Sequence, residues 1–194
     1  QGGAACAWAA RHPGHPMQPT TYISTFLGNR FYPAQPHIDG IDIEDIAHGL
    51  AYQCRFNGQT SAFYSVAQHS LMVASLLPPE LGRAALLHDA AEAYLGDMVK
   101  PLKLLLPDFN RIEAAVTDQI AAAFGVDFSD YARIKQADLV ALATEKRDLM
   151  PNSTEPWSYL AGIAPLPERI APLSPQAAKD AFLQAWALCA FSPA

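Results

Sequence analysis

An all-α fold is what this sequence predicts, and three observations predict it. Apolar residues recur at i, i+3, i+4 and i+7 in one segment after another, and the segments end at Gly or Pro. No run alternates apolar and polar residues as a half-buried strand would. The chain has 194 residues, 51% of them hydrophobic, enough for one domain with a sizeable core. With no internal repeat or linker, that single domain is expected over 17–194 as a compact helical bundle. Gln1 to Pro16, rich in Gly, Ala, His and Pro, reads as a disordered or non-native extension, with Met17 opening the domain. It lacks the basic start and apolar run of a signal peptide, and its His12 and His15 read as tail residues.

The elements follow in order. Thr20 to Pro36 mixes aromatics, Gly and Pro, as in an ordered loop or short hairpin. Asp42 caps a first helix from about Ile43 to Cys54, whose stripe is Ile43, Ile46, Ala47, Leu50 and Cys54; His48 lies off the stripe, as a solvated residue would. Arg55-Phe56-Asn57-Gly58 is a turn. Ser65-Val66-Ala67-Gln68 reads as a capping box opening a second helix to about Leu77, with His69, Met72, Val73 and Leu76 on its buried face. A third helix is expected from about Glu80 to Leu95, a fourth from Asp108 to Phe124 and a fifth from Tyr131 to Met150. Pro151 to Pro172 is a Pro-rich surface loop that Trp157 and Tyr159 pack down, and Ser174-Pro175 opens a last helix to about Cys189.

Ionisable groups sit where this periodicity demands apolar ones. The third helix buries Leu81, Ala84, Ala85, His88, Ala91, Glu92 and Leu95, with Asp89 beside the stripe. The second buries His69; the fifth buries Asp138 and Glu145. A buried charge costs several kcal/mol or more unless it is paired or coordinated, so something must compensate. Two imidazoles and two carboxylates (His69, His88, Asp89, Asp138) suit a divalent cation such as Mn, Co, Fe or Zn better than Ca or Mg alone, and Mg stays within the set. For Glu145 a structural hydrogen bond to a neighbouring helix is the simpler reading, and Tyr64, Trp157 and Phe182 read as core rather than as a base pocket.

His69, the His88-Asp89 doublet and Asp138 match the H…HD…D signature of the HD superfamily of metal-dependent phosphohydrolases. The resemblance spans about Tyr22 to Met150. Within it, Phe63 to Ser70, His88 to Asp97 and Lys135 to Asp138 look like the bacterial 5′-deoxynucleotidases and the phage dATP triphosphohydrolases. The resemblance implies a helical HD domain, one or more divalent cations, hydrolysis of phosphate esters and a homo-oligomer. Metal ligands are then His69, His88, Asp89 and Asp138, with Asp89 and Glu92 as the catalytic pair. Glu92 is the candidate to orient or deprotonate water or to protonate the leaving oxygen, with support of a metal-bound His as the other reading. Asp97 is a candidate for the sugar or a second metal, or an ordinary turn residue. Arg55 offers a planar fork for phosphate. The resembling nucleotidases carry Arg-Trp here, stacking on the base, where this chain has Arg55-Phe56. Lys100 and Lys103 are further candidates for phosphate contacts.

Net charge is −6, against a broad nucleic-acid face but not against a small phosphorylated ligand. The three cysteines form no Cys-x-x-Cys pair, which fits a reducing cytoplasm, and no apolar run nears the ~18 residues of a membrane span. The expected function is hydrolysis of small nucleotides, foremost deoxyribonucleotides, with monophosphate and triphosphate both open. The rivals are a phosphodiesterase of cyclic or oligomeric nucleotides, which would need a wider basic surface, and a non-catalytic nucleotide-sensing module, which could fill these positions with apolar residues more stably.

Overall fold

The structure is a computed structural model that describes residues 21–151 and 156–189. The expectations for residues 1–16 and for Cys6 lie outside the described residues. A two-residue hairpin, β1 (Ile23–Ser24) with β2 (Arg30–Phe31), precedes eight helices: α1 (Ile43–Tyr52), α2 (Val66–Ser75), α3 (Gly82–Leu86), α4 (Glu92–Leu95), α5 (Lys100–Lys103), α6 (Pro107–Phe124), α7 (Tyr131–Leu149) and α8 (Pro175–Cys189). The fold is all-α, as the periodicity predicts. No described helix is long and apolar enough to cross a membrane.

The centre of the bundle is α2, which packs on α1, α3, α7 and α8. A helix surrounded in this way has little solvent face, and His69 and Ser70 are as fully buried as Val66, Ala67 and Val73. Ile46, Leu50, Val66, Leu86, Leu87, Val116, Ile120 and Phe182 form the main apolar core, and Val73, Ala85, Ile134 and Ala141 form a second cluster between α2, α3 and α7. Ser65 caps α2 by accepting from the Gln68 N–H at 3.1 Å. The reciprocal half of the expected capping box is absent. The Gln68 side chain instead donates to the Ala171 carbonyl at 2.8 Å and accepts from Leu173 N–H at 2.9 Å, tying down the Pro-rich loop.

The expected third helix is not continuous. After α3 ends at Leu86, residues 87–91 form tight turns with i→i+3 bonds, and helix resumes only at Glu92. Nδ1 of His88 donates to the Ala85 carbonyl at 2.7 Å, taking the acceptor that Asp89 N–H would use in an unbroken helix. The side chain thus competes with the main chain at the very residue the sequence singles out. Two glycines position the next segment. A Cβ on Gly49 would lie 2.8 Å from the Ala93 carbonyl oxygen, so only Gly lets α1 approach α4 this closely. Gly96, at φ +87°, ends α4 in a conformation that disfavours other residues.

His48 differs from expectation: it is not a solvated helix residue but stacks between Phe26 and Tyr52, at centroid distances of 3.9 and 4.3 Å.

The Pro-rich loop is held chiefly by α7. Asp148 accepts from Ile170 N–H at 2.9 Å, from Arg169 Nη1 at 2.6 Å and from Arg147 Nε and Nη2 at 2.6 and 2.8 Å. Arg147 also donates to the Leu166 and Glu168 carbonyls, and Thr144 Oγ1 accepts from Leu166 N–H at 2.9 Å. The Arg147 fork, with the Ile170 N–H and Arg169, outweighs burial and holds the Asp148 carboxyl well below the usual carboxylate range. A depressed pKa contributes stability that is complete above the unfolded value of ~3.9 and fades as pH falls below it. Asp148→Asn should therefore cost about 1–3 kcal/mol at neutral pH, with the difference from wild type shrinking below about pH 4. Denaturant unfolding at pH 7 and pH 3.5 checks both parts.

Candidate metal centre and active site

Four side chains from three parts of the chain meet in the interior: His69 from α2, His88 and Asp89 from the turns before α4, and Asp138 from α7. Their donor atoms lie close together. Nε2 of His69 is 3.3 Å from Nε2 of His88, 3.2 Å from Asp138 Oδ1 and 3.5 Å from Asp89 Oδ2. Nε2 of His88 is 3.1 Å from that same Asp89 oxygen. His69, His88 and Asp138 each offer a ligand atom within 4.8 Å of the other two, and Asp89 Oδ2 lies beside the two histidines.

The opposite ring nitrogens decide what this cluster wants. Nδ1 of His88 faces the Ala85 carbonyl, and Nδ1 of His69 lies 2.6 Å from Glu145 Oε1. Both acceptors select the tautomer with the proton on Nδ1, so in the neutral rings two Nε2 lone pairs face each other and two carboxylates. Four electron-pair donors in one buried place need a cation between them. A proton on His69 is one such cation. Although burial and Arg55 oppose it, Glu145 and Asp138 raise His69 to about 10. Burial likewise works against the Asp89 and Asp138 carboxylates, but His88 with His69 beside Asp89, and His69 with His88 beside Asp138, hold both well below the ordinary range. Ionised carboxylates and two imidazoles that converge and are braced from behind fit a divalent cation, which would take the place of the His69 proton.

The bracing residues are less visible in sequence. Glu145, two turns beyond Asp138, is fully buried and holds His69 with one oxygen; its other oxygen accepts from Arg55 Nε at 3.2 Å. This is the structural hydrogen bond expected of Glu145, and its target is His69, a candidate metal ligand. Arg55 is correspondingly not a free fork. One edge is committed to Glu145, and Nη1 lies 3.7 Å from Asp89 Oδ2, so only the Nη side faces the centre. Lys135, one turn before Asp138, holds the outer oxygen of that carboxylate at 2.5 Å, leaving Oδ1 to face His69.

Glu92, on the first turn of α4, is buried; its Oε1 accepts from Lys103 Nζ at 3.2 Å, while Oε2 has no hydrogen-bond partner among the described residues. Burial first, then the Asp89 and Asp97 carboxylates, push its pKa well above the usual value. Lys103 also donates to Glu113 at 2.7 Å, so it serves these two carboxylates rather than standing free for phosphate as the sequence suggested. Lys100 lies over the Tyr159 ring at 4.6 Å. Asp97 is drawn in by Gln53, whose amide accepts from Asp97 N–H at 2.9 Å and donates to the Glu92 carbonyl at 2.7 Å, spanning α4 end to end. Burial and Asp89 raise the Asp97 pKa.

Phe56, in the 3₁₀ turn Arg55–Gly58, has a left-handed backbone at φ 56°, as has Asn57 at φ 53°. Its ring lies 5.3 Å from the Arg55 guanidinium and 6.0 Å from Trp157. Tyr64 and Phe182 are core residues, as expected, but Trp157 is only half-buried and belongs to this surface cluster.

No family model matches the chain. It is 42% identical over 166 residues to the uncharacterized protein YfdR of Escherichia coli K12, a match covering 84% of this chain and 93% of YfdR. This chain belongs to the YfdR family. An uncharacterized protein of Rhodobacter capsulatus is also 42% identical, over 120 residues that make up 57% of this YfdR-family chain and 61% of that protein.

Two substitutions test the centre. Asp89→Ala should lose bound metal outright, whereas Glu145→Gln should retain it with affinity reduced about 10- to 100-fold, the usual weight of a ligand's supporting partner. Elemental analysis and chelator competition measure the two effects.

Proposed function

We propose that this chain is a divalent-metal-dependent phosphohydrolase of small nucleotides, with deoxyribonucleotides the leading class, and that it shares the chemistry of the HD superfamily its motifs resemble. The observation that carries the proposal is the facing pair of Nε2 atoms on His69 and His88, flanked by two carboxylates, beside a buried glutamic acid with one oxygen unpaired. His69, His88, Asp89 and Asp138 would hold the cation. Such an ion supplies a more acidic water and charge stabilisation at a phosphoryl oxygen.

The remaining roles belong to the chain's own groups. Glu92, kept protonated by burial and by Asp89, is suited to give its proton from Oε2 to the leaving ester oxygen as water adds to phosphorus. Lys103 fixes Oε1 and thereby aims Oε2. Arg55 presents its Nη edge, with Asp89 nearby, to a phosphate oxygen. Asp97 lies within electrostatic reach of Arg55 and Asp89, where a sugar hydroxyl would sit. A reducing, cytoplasmic setting and a homo-oligomeric assembly belong to the same proposal.

A metal-supplemented panel of dAMP, dATP, AMP, ATP, dCMP and dTMP with identification of the released phosphate tests this reading. The expected outcome is faster cleavage of the deoxy compounds, with adenine at least as good as pyrimidine bases. Equal rates on ribo- and deoxy-substrates would remove the deoxynucleotide assignment, and activity confined to diesters would replace it with a phosphodiesterase. Glu92→Gln should keep metal and substrate affinity while the rate falls about 100-fold or more. Loss of metal in that variant would make Glu92 a ligand support instead.

A further inference from the structure

The Pro-rich loop contributes to an aromatic strip beside the metal centre. From Asp89 the contacts run outward through Arg55 to the Phe56 ring, then to Trp157, tilted at 43° with centroids 6.0 Å apart. Tyr159 follows at 5.8 Å from Trp157, with the Lys100 ammonium 4.6 Å from the Tyr159 ring. Lys100 opens α5 and Lys103 ends it, and Lys103 returns to Glu92. Both ends of this arc return to the centre, at Asp89 and at Glu92, so Trp157 and Tyr159 lie on a path of contacts around it.

The arc gains little from the core. Phe56 and Trp157 are half-buried and Tyr159 is 42% exposed, while Phe56 takes a left-handed backbone that a bulky residue rarely adopts. Partly exposed rings beside a turn with left-handed backbone are placed for contact with something flat and apolar. Lys146, 5.1 Å from the Trp157 ring, and Lys100 add positive charge at the rim, which suits a ligand that is also anionic. A flat ring joined to a phosphate is a nucleotide.

We infer that Trp157 is the residue on which the nucleobase stacks, with Phe56 buttressing it from the Arg55 side. The spacing of the two rings leaves no slot for a base between them, so the base lies against the open part of the Trp157 ring. This deepens the nucleotide reading above and rests on it. It also makes Trp157 a determinant of specificity that favours the larger purine face.

The test measures binding, separately from turnover. Metal-loaded protein carrying Glu92→Gln, which slows consumption of ligand, is titrated calorimetrically with dAMP and with 2-deoxyribose 5-phosphate. Adding Trp157→Ala or Trp157→Leu is expected to weaken dAMP binding about tenfold or more and to leave the sugar phosphate unchanged, since base–aromatic stacking contributes about that much. Trp157→Phe should retain most of the dAMP affinity. Unchanged dAMP binding in the Ala and Leu variants, or equal loss on both ligands, overturns the assignment. So does a parent protein that binds the two ligands equally. Binding of dAMP through Trp157 by a protein that hydrolyses no phosphate ester would overturn the hydrolase and leave the stacking residue in place. Hydrolysis of nucleotides and base-free sugar phosphates at equal rates would do the reverse.

Discussion

Two imidazole nitrogens facing each other at 3.3 Å, each with its far nitrogen on a hydrogen-bond acceptor, set the terms for the rest of this molecule. Such a pair is tolerable in a core only if a positive charge lies within reach, and it must be held from behind or the rings would turn away. Helix α2 sits at the centre because His69 has to be sealed from water on all sides. The helix before Glu92 breaks because His88 needs a carbonyl to face, and the carbonyl it takes belongs to the helix itself. Glu145 lies two turns from Asp138 on α7, so one straight element supplies a donor to the cluster and a brace for another donor.

Around the cluster, charges are arranged in pairs that each fix a neighbour. Arg55 holds Glu145, Lys135 holds the outer oxygen of Asp138, and Lys103 holds Glu92. The exception is the second oxygen of Glu92, left without a partner where burial and two other carboxylates favour its protonated form.

Much of this was legible in the chain. Helical periodicity put His69, His88, Glu92, Asp138 and Glu145 on core stripes, and caps and prolines marked most helix ends to within about two residues. What the sequence concealed depends on contacts between distant residues. The partners Arg55 and Glu145 are 90 positions apart, and nothing local says that the arginine is half committed. Lys103 reads as a candidate phosphate contact because its spacing shows neither Glu92 nor Glu113 as a partner. Gln53 carries no signal at all, being an ordinary residue just beyond a helix. Gln68 fits a capping box equally well whether or not its side chain leaves to hold a loop. The break at His88 is invisible to periodicity because the turns after it return Glu92 to the buried side.

The Pro-rich loop has a different standing from the helices it crosses. Its backbone is fastened at Leu166, Glu168, Ile170, Ala171 and Leu173 by side chains of α2 and α7, and the loop's own Arg169 adds a bond to Asp148. The segment contributes rings to the path around the cluster and no donor to the cluster itself. Residues between the anchors can therefore differ from one relative to another without disturbing the buried cluster beneath.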